Sequence, residues 1–285
     1  MRLRTATSQD KPELVALWEQ AFGDTSDTVE TFFQLCGTFR NTLVAQVDGK
    51  VRAALYLLEN QLQVQETVYR AAYIYAAATE TDYRKNGLMT ALLAFADEIA
   101  VQRQFDFLFL TPAEDGLFSY YGKRGFQSAF AKQVARVPRA DLEHAAGKPL
   151  NAVNGEQNEQ VSRHIALRGG AHILWSDAVL HFDRFLRETY NVQYRLSPNG
   201  FTVYETEEDA VTATEFCFAD GGFSALANLL LQNTKAAQFT LCAPCFAALP
   251  PQFACETVKT AMIKPISAHA KAQTVQNAYL GITLG

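Results

Sequence analysis

The stretch YRKNGLMTALL, Tyr83–Leu93, follows the apolar run AAYIYAAAT of residues 71–79. It places Arg84, Lys85, Asn86 and Gly87 directly before a helical pattern in which Leu88, Leu92, Phe95 or Ala96, and Ile99 share one face. A strand that turns through a cationic loop into a helix is a candidate anion seat. The first N–H groups of a helix lack intrahelical partners, its dipole is positive there, and Arg84 and Lys85 add full charge. Gly87 removes a side chain where a ligand backbone would come close. The same residues also read as a solvated turn, and on their own they leave both readings open.

Outward from this stretch, strands and helices alternate irregularly. RLRTAT opens as a strand, and Leu14, Leu17, Trp18, Ala21 and Phe22 recur at helical spacing between Pro12 and Gly23. DTVETFFQLCG predicts a second, shorter helix, and TLVAQVDGKVRAALYLLENQLQV two strands around an Asp48–Gly49 turn. FDFLFLTPA is too apolar to have a wet face, so it predicts a central strand covered by helices. A short helix over GLFSYYGKRGF and a strand over SAFAKQVARV complete a unit by about residue 138.

Pro138 to Gln160 turns polar and loop-like, and the chain then restarts. A helix capped at Ser176, strands around turns at Asn199–Gly200 and Glu207–Asp209, the helix GGFSALANLLLQ and the strand AAQFTLCAP follow. Strand, loop, GLMTALLAFA, strand in the first half matches strand, loop, GGFSALANLLL, strand in the second, a weak internal repeat. The second copy has Asp220, Gly221 and Gly222 where the first has Arg84, Lys85 and Asn86, so the first half alone is expected to hold an anion.

The 285 residues are 48% hydrophobic and 19% charged, as in a soluble globular protein. Lys and Arg number 15 against 16 Asp and Glu over residues 1–140, and 10 against 14 over the rest, which argues against a nucleic-acid binder. No apolar run is long enough to span a bilayer, and the start MRLRTATSQDKPEL lacks the apolar core of a signal peptide, so a cytoplasmic location without membrane partners is expected. Five scattered cysteines read as reduced thiols; Cys242 and Cys245 have metal spacing, but with no nearby histidine they read as packing residues, and no metal is expected.

ATETDYRKNGLMTALL resembles the acetyl-CoA pyrophosphate loop of the GNAT superfamily of N-acetyltransferases: Arg or Gln, two residues, Gly, one residue, then Gly or Ala. Arg84 and Gly87 match, whereas Met89 stands at the final small position. In that departure, and in its degenerate second half, the chain is similar to multi-GNAT-domain acetyltransferases of the enhanced-intracellular-survival type. The resemblance covers roughly residues 1–138 and implies that the backbone of Ala76, Ala77, Ala78 and Thr79 pairs with the pantetheine arm. Arg84, Lys85, Asn86, Gly87, Leu88, Met89 and Thr90 would hold the pyrophosphate. FSYYGKRGF is similar to the superfamily's Phe-Tyr-x-x-x-Gly-Phe, with Tyr121 at the Tyr position, Gly125 and Phe126 closing it, and Tyr120 beside it as a packing residue. A phenol there would protonate the leaving thiolate.

These features imply an α+β fold with a GNAT-type mixed central sheet flanked by helices, a GNAT domain over residues 1–140, and a second, degenerate GNAT-like domain over 141–285. The expected reaction is transfer of acetyl from acetyl-CoA, as co-substrate, to a primary amine by direct attack in a ternary complex. The rival readings are a non-catalytic acyl-CoA-binding or regulatory module, and a second half that carries an apolar ligand. The strand that would bear a general base has no acid before Glu80; Glu80, Glu114 and Asp115 lie near the expected site in sequence. The apolar end NAYLGITLG reads as docked, and in the two-domain relatives that the chain resembles the terminal carboxylate takes the amine's proton. The α-carboxylate of Gly285 is therefore the expected base, against the alternative that it lies in solvent.

Overall fold

A computed structural model describes residues 1–147, 159–197, 199–282 and 284, with the backbone alone at 160–161. The first half comprises β1 (Arg2–Thr5), α1 (Lys11–Phe22), α2 (Ser26–Leu35), β2 (Thr42–Val47), β3 (Lys50–Val64), β4 (Thr67–Thr79), α3 (Leu88–Gln102), β5 (Phe107–Leu110), α4 (Asp115–Gly122) and β6 (Gln127–Pro138). The remainder comprises α5 (Arg139–Ala146), α6 (Glu159–Leu167), β7 (His172–Leu174), α7 (Asp177–Thr189), β8 (Gln193–Ser197), β9 (Gly200–Glu207), β10 (Ala210–Phe218), α8 (Phe223–Asn233), β11 (Gln238–Pro244), β12 (Cys255–Pro265) and α9 (Ala268–Lys271).

Local chemistry explains several boundaries. Gly23, at φ 77°, ends α1, and its N–H donates to the Glu19 carbonyl. The Thr25 hydroxyl caps α2 by accepting from the Thr28 N–H. Asp48 and Gly49 both take positive φ, as a two-residue hairpin demands.

The strands form one mixed sheet in the order β1-β2-β3-β4-β5-β12-β6-β11-β10-β9-β8, with β7 pairing β3. The order crosses residue 140 without a break, because β12, from the end of the chain, inserts between β5 and β6. β5 is buried at every residue, as its uniformly apolar sequence requires. On one face α3 and α4 cover a core containing Leu92, Ala96, Leu108 and Phe126. A second core gathers Trp18, Phe32, Tyr73, Phe109, Trp175 and Phe182, with Leu280, Ile282 and Leu284 from the end of the chain.

Among the described residues two pairs of neighbouring strands run parallel, β4 with β5 and β10 with β11, and each pair is joined by a helix, α3 and α8. Both units carry a bulge on their first strand, between Tyr75 and Ala78 in β4 and between Ala213 and Glu215 in β10. The internal repeat seen in sequence is thus a repeated strand–helix–strand unit. The polar stretch after Pro138 is not all loop: α5 buries Leu142 and Ala146 in a core shared with Leu226 and Ala227 of α8. Among the described residues no helix is long and apolar enough to cross a membrane.

Candidate acyl-transfer site

β4 sets the geometry. It pairs in parallel with β5 at Ala71–Phe107, Ala72–Leu108 and Tyr73–Phe109, and among the described residues that register ends there while β4 continues to Thr79. On its other side Tyr75 pairs with Tyr56 and Ala78 with Ala54, so Ala76 and Ala77 face the single residue Leu55. Ala76 has φ 45°, a conformation that a side chain disfavours and that a bulge imposes. The bulge turns the backbone of Ala76 and Ala77 where β4 and β5 have parted. Both residues are half-buried, as is Thr79, whereas Ala78 points into the core beside Leu14 and Leu17.

From Thr79 a single 3-10 turn, Thr81–Tyr83, leads to the start of α3. Gly87 is its N-cap at φ 80°, and no side chain caps the helix, so its first N–H groups stay available. An added Cβ on Gly87 would meet nothing within 4 Å, so the backbone angle, rather than crowding, requires glycine in the free chain. Arg84, Lys85, Asn86 and Thr90 are exposed, and the Arg84 Nε–H donates to the Thr79 carbonyl at 3.1 Å. Leu88 is buried in the core under α3 and Met89 is half-buried against it, so their side chains are turned to the core.

α4 lies beside α3, with the Tyr120 and Thr90 hydroxyls 3.4 Å apart. Tyr121 is buried, packed against Tyr120 at 5.2 Å and Phe126 at 6.0 Å between ring centroids. Burial, reinforced by Tyr120, pushes its phenol up to about 12, with Arg124 pulling the other way. Tyr121 is therefore a neutral hydroxyl at ordinary pH. Tyr73, at the fork of the strands, donates to the Thr111 hydroxyl at 3.2 Å, and burial pushes its phenol up to about 12. The Tyr75 hydroxyl donates to the Leu284 carbonyl at 2.9 Å.

The acids weighed as bases are ion-paired or exposed. Glu80 is ion-paired with Arg52, whose guanidinium lies 4.5 Å from the Tyr83 ring centroid. Glu114 and Asp115 are exposed at the start of α4. Gly285 lies outside the described residues, but Leu284 before it is buried, 5% exposed. The end of the chain is held by backbone bonds from Ile173 to Tyr279, from Tyr279 to Ala171 and from Ala278 to Ala129, and by the Trp175 indole donating to Leu280.

Sequence reasoning passed over Arg124. Its guanidinium lies 3.5 Å from the Tyr120 ring centroid and donates to the Thr90 hydroxyl at 2.5 Å and the Tyr120 carbonyl at 2.6 Å. The signal was present, since Arg124 stands inside FSYYGKRGF, but nothing local told it from a solvated charge.

The Acetyltransferase (GNAT) domain family model matches residues 2–129. That stretch, just under half of the chain, is thus similar to a GNAT acetyltransferase domain. Solved structures extend the fold likeness beyond it. A probable N-acyltransferase of Enterococcus faecalis V583 aligns at TM-score 0.76 and 14% identity, over 94% of this chain and 73% of its own. A GCN5-related N-acetyltransferase of Anabaena variabilis gives 0.74 at 16%, over 96% and 75%, and Eis1 of Mycobacterium abscessus 0.70 at 13%, over 95% and 75%. At such identities the likeness is one of fold. No curated protein matches the sequence.

Proposed function

We propose that this chain transfers an acetyl group from acetyl-CoA to a primary amine, by direct attack in a ternary complex. One observation carries the reading. The bulged end of β4, beyond its pairing with β5, leads into the open start of α3, and Ala77, Met89 and Tyr121 pack in one core. There, the backbone of Ala76–Thr79 would meet the pantetheine arm, and the amides and cations of Arg84–Thr90 the pyrophosphate. The amine nitrogen attacks the thioester carbonyl, the C–S bond breaks, and the thiolate takes its proton from Tyr121. The amine's proton passes to a base, for which we propose the α-carboxylate of Gly285; support comes from Leu284, held by Tyr75 where β4 and β5 part. Tyr121 regains its proton from solvent.

The domain division at residue 140 enters the same proposal: the first half works on the cofactor and the second walls the acceptor side. The more acidic second half favours a cationic acceptor. Free-thiol release from acetyl-CoA, measured over small amines, aminoglycoside-like polyamines and lysine peptides, tests the reading. Amine-dependent release with stoichiometric N-acetylation supports it. Tight acetyl-CoA binding without turnover on any amine would favour the acyl-CoA-binding regulatory module instead.

A further inference from the structure

We propose that the cavity between α6, β7 and α7 is a binding site for a small aromatic molecule with one N–H or O–H donor, of about the size of indole. The site does not depend on the acetyl-CoA reading. Leu167 of α6, Ile173 of β7, Trp175 and Leu180 of α7 give it apolar walls, and its volume is about 230 Å³. A cavity of about 150 Å³ takes one benzene ring, so this one has room for two fused rings. Trp175 offers a ring for them to pack on. It also packs on Tyr73 and Phe109, with centroids 5.6 and 5.8 Å apart, so a ligand here shares a wall residue with the fork of β4 and β5.

The polar groups on the walls differ in what they leave unmet. All three guanidinium nitrogens of Arg163 donate to Glu159 and Glu215, and His164 is exposed to water. His172, 1% exposed, has no such outlet. Its Nδ1 lies 2.8 Å from the Gly170 carbonyl, which can only accept, so Nδ1 carries the proton. Phe246 packs where a Cβ on Gly170 would stand, which keeps that carbonyl in place. Burial lowers the His172 pKa against the pull of the Gly170 bond, with His164 adding to the lowering, so the ring is neutral and Nε2 holds a lone pair. Nε2 is buried and has no partner among the described residues. A ligand N–H or O–H would satisfy it, whereas a carboxylate or phosphate would face this lone pair and an arginine already paired.

Calorimetry with indole, and with benzofuran, which keeps the shape and has an oxygen in place of the N–H, tests this on the parent chain, His172→Phe and Leu174→Trp. Leu174 lines the cavity from a half-buried position, so a larger ring there fills the space from its edge. The parent should bind one indole per chain and hold benzofuran about 5- to 10-fold more weakly, as for the loss of one hydrogen bond. His172→Phe should bind the two alike, and Leu174→Trp neither. In the parent, indole should also move the nitrogen resonance of His172 Nε2, and this measurement serves if either variant does not fold. A parent chain that takes up no indole, or equal affinity of the parent for indole and benzofuran, overturns the site. So does indole binding at parent strength in folded Leu174→Trp, or an unmoved Nε2 resonance at saturating indole.

Discussion

Gly87 and Gly222 hold matching places, each the residue before the helix of a parallel strand–helix–strand unit, but they face different surroundings. An added Cβ on Gly87 would meet open space, whereas on Gly222 it would meet the Asn199 carbonyl oxygen at 2.8 Å, Phe218 Cβ at 2.9 Å and the Ala219 carbonyl oxygen at 3.0 Å. Backbone thus crowds Gly222 where it leaves Gly87 open, and the second helix start also lacks the cations of the first. Calorimetry should therefore give one acetyl-CoA per chain. Arg84→Glu, which reverses charge at the open seat, should lower affinity about 10-fold or more through the loss of one charged contact and the gain of a repulsion. Two sites per chain would contradict this reading.

The elements that carry the proposed cofactor seat were legible because each of them is local in sequence. A strand, the turn around Gly87 and the periodic face of α3 follow one another within one stretch, and period and cap signals report such neighbours. The strand over the β12 segment went unread, since Cys255–Lys259 lies exposed and only Ala261–Ile263 is buried, leaving little alternation. Its place between β5 and β6 is a long-range pairing that no local pattern encodes. α5 was missed because two buried residues, Leu142 and Ala146, decide it, and their partners lie on α8. The Tyr75–Leu284 bond spans the chain and is invisible to local reading.

The second half depends on a buried charge pair. Arg163, 6% exposed, donates from Nη1 and Nη2 to both oxygens of Glu215 at 3.0 and 2.9 Å, and from Nε to Glu159 at 3.2 Å. Arg163→Met leaves Glu215 charged and without its partner, at a cost of about 3–5 kcal/mol in urea unfolding. Pairing it with Glu215→Gln should restore part of that loss, because the stranded charge is gone. A single substitution costing no more than an exposed ion pair, or a double variant worse than the single, would contradict this account.

The proposed base makes a separate prediction. Leu284 is buried and its carbonyl accepts from Tyr75. Appending two glycines after Gly285 moves the terminal charge and leaves Leu284 in place. Turnover should fall about 100-fold, the lower end for a lost general base, with acetyl-CoA affinity retained. A folded variant that binds acetyl-CoA and works at the parent rate would return the search to other bases.

Tyr121→Phe isolates the leaving-group step. The ring keeps its packing against Tyr120 and Phe126, so fold and cofactor affinity should hold, while kcat drops about 100-fold or more with the loss of the proton donor. The pH profile gives a second check. Burial raises the Tyr121 phenol to about 12, which favours the protonated form in the folded chain. The stability linked to this shift is fully present below the ordinary tyrosine value of about 10 and is lost as pH rises through about 12. Across the range below about 10 the donor thus stays loaded, and Tyr121 should put no alkaline limb on kcat/KM there. An alkaline limb in the parent that vanishes in Tyr121→Phe would mean that the phenol titrates far below its buried value. Equal turnover in both proteins, with chemistry shown to limit the rate, would make Tyr121 a packing residue.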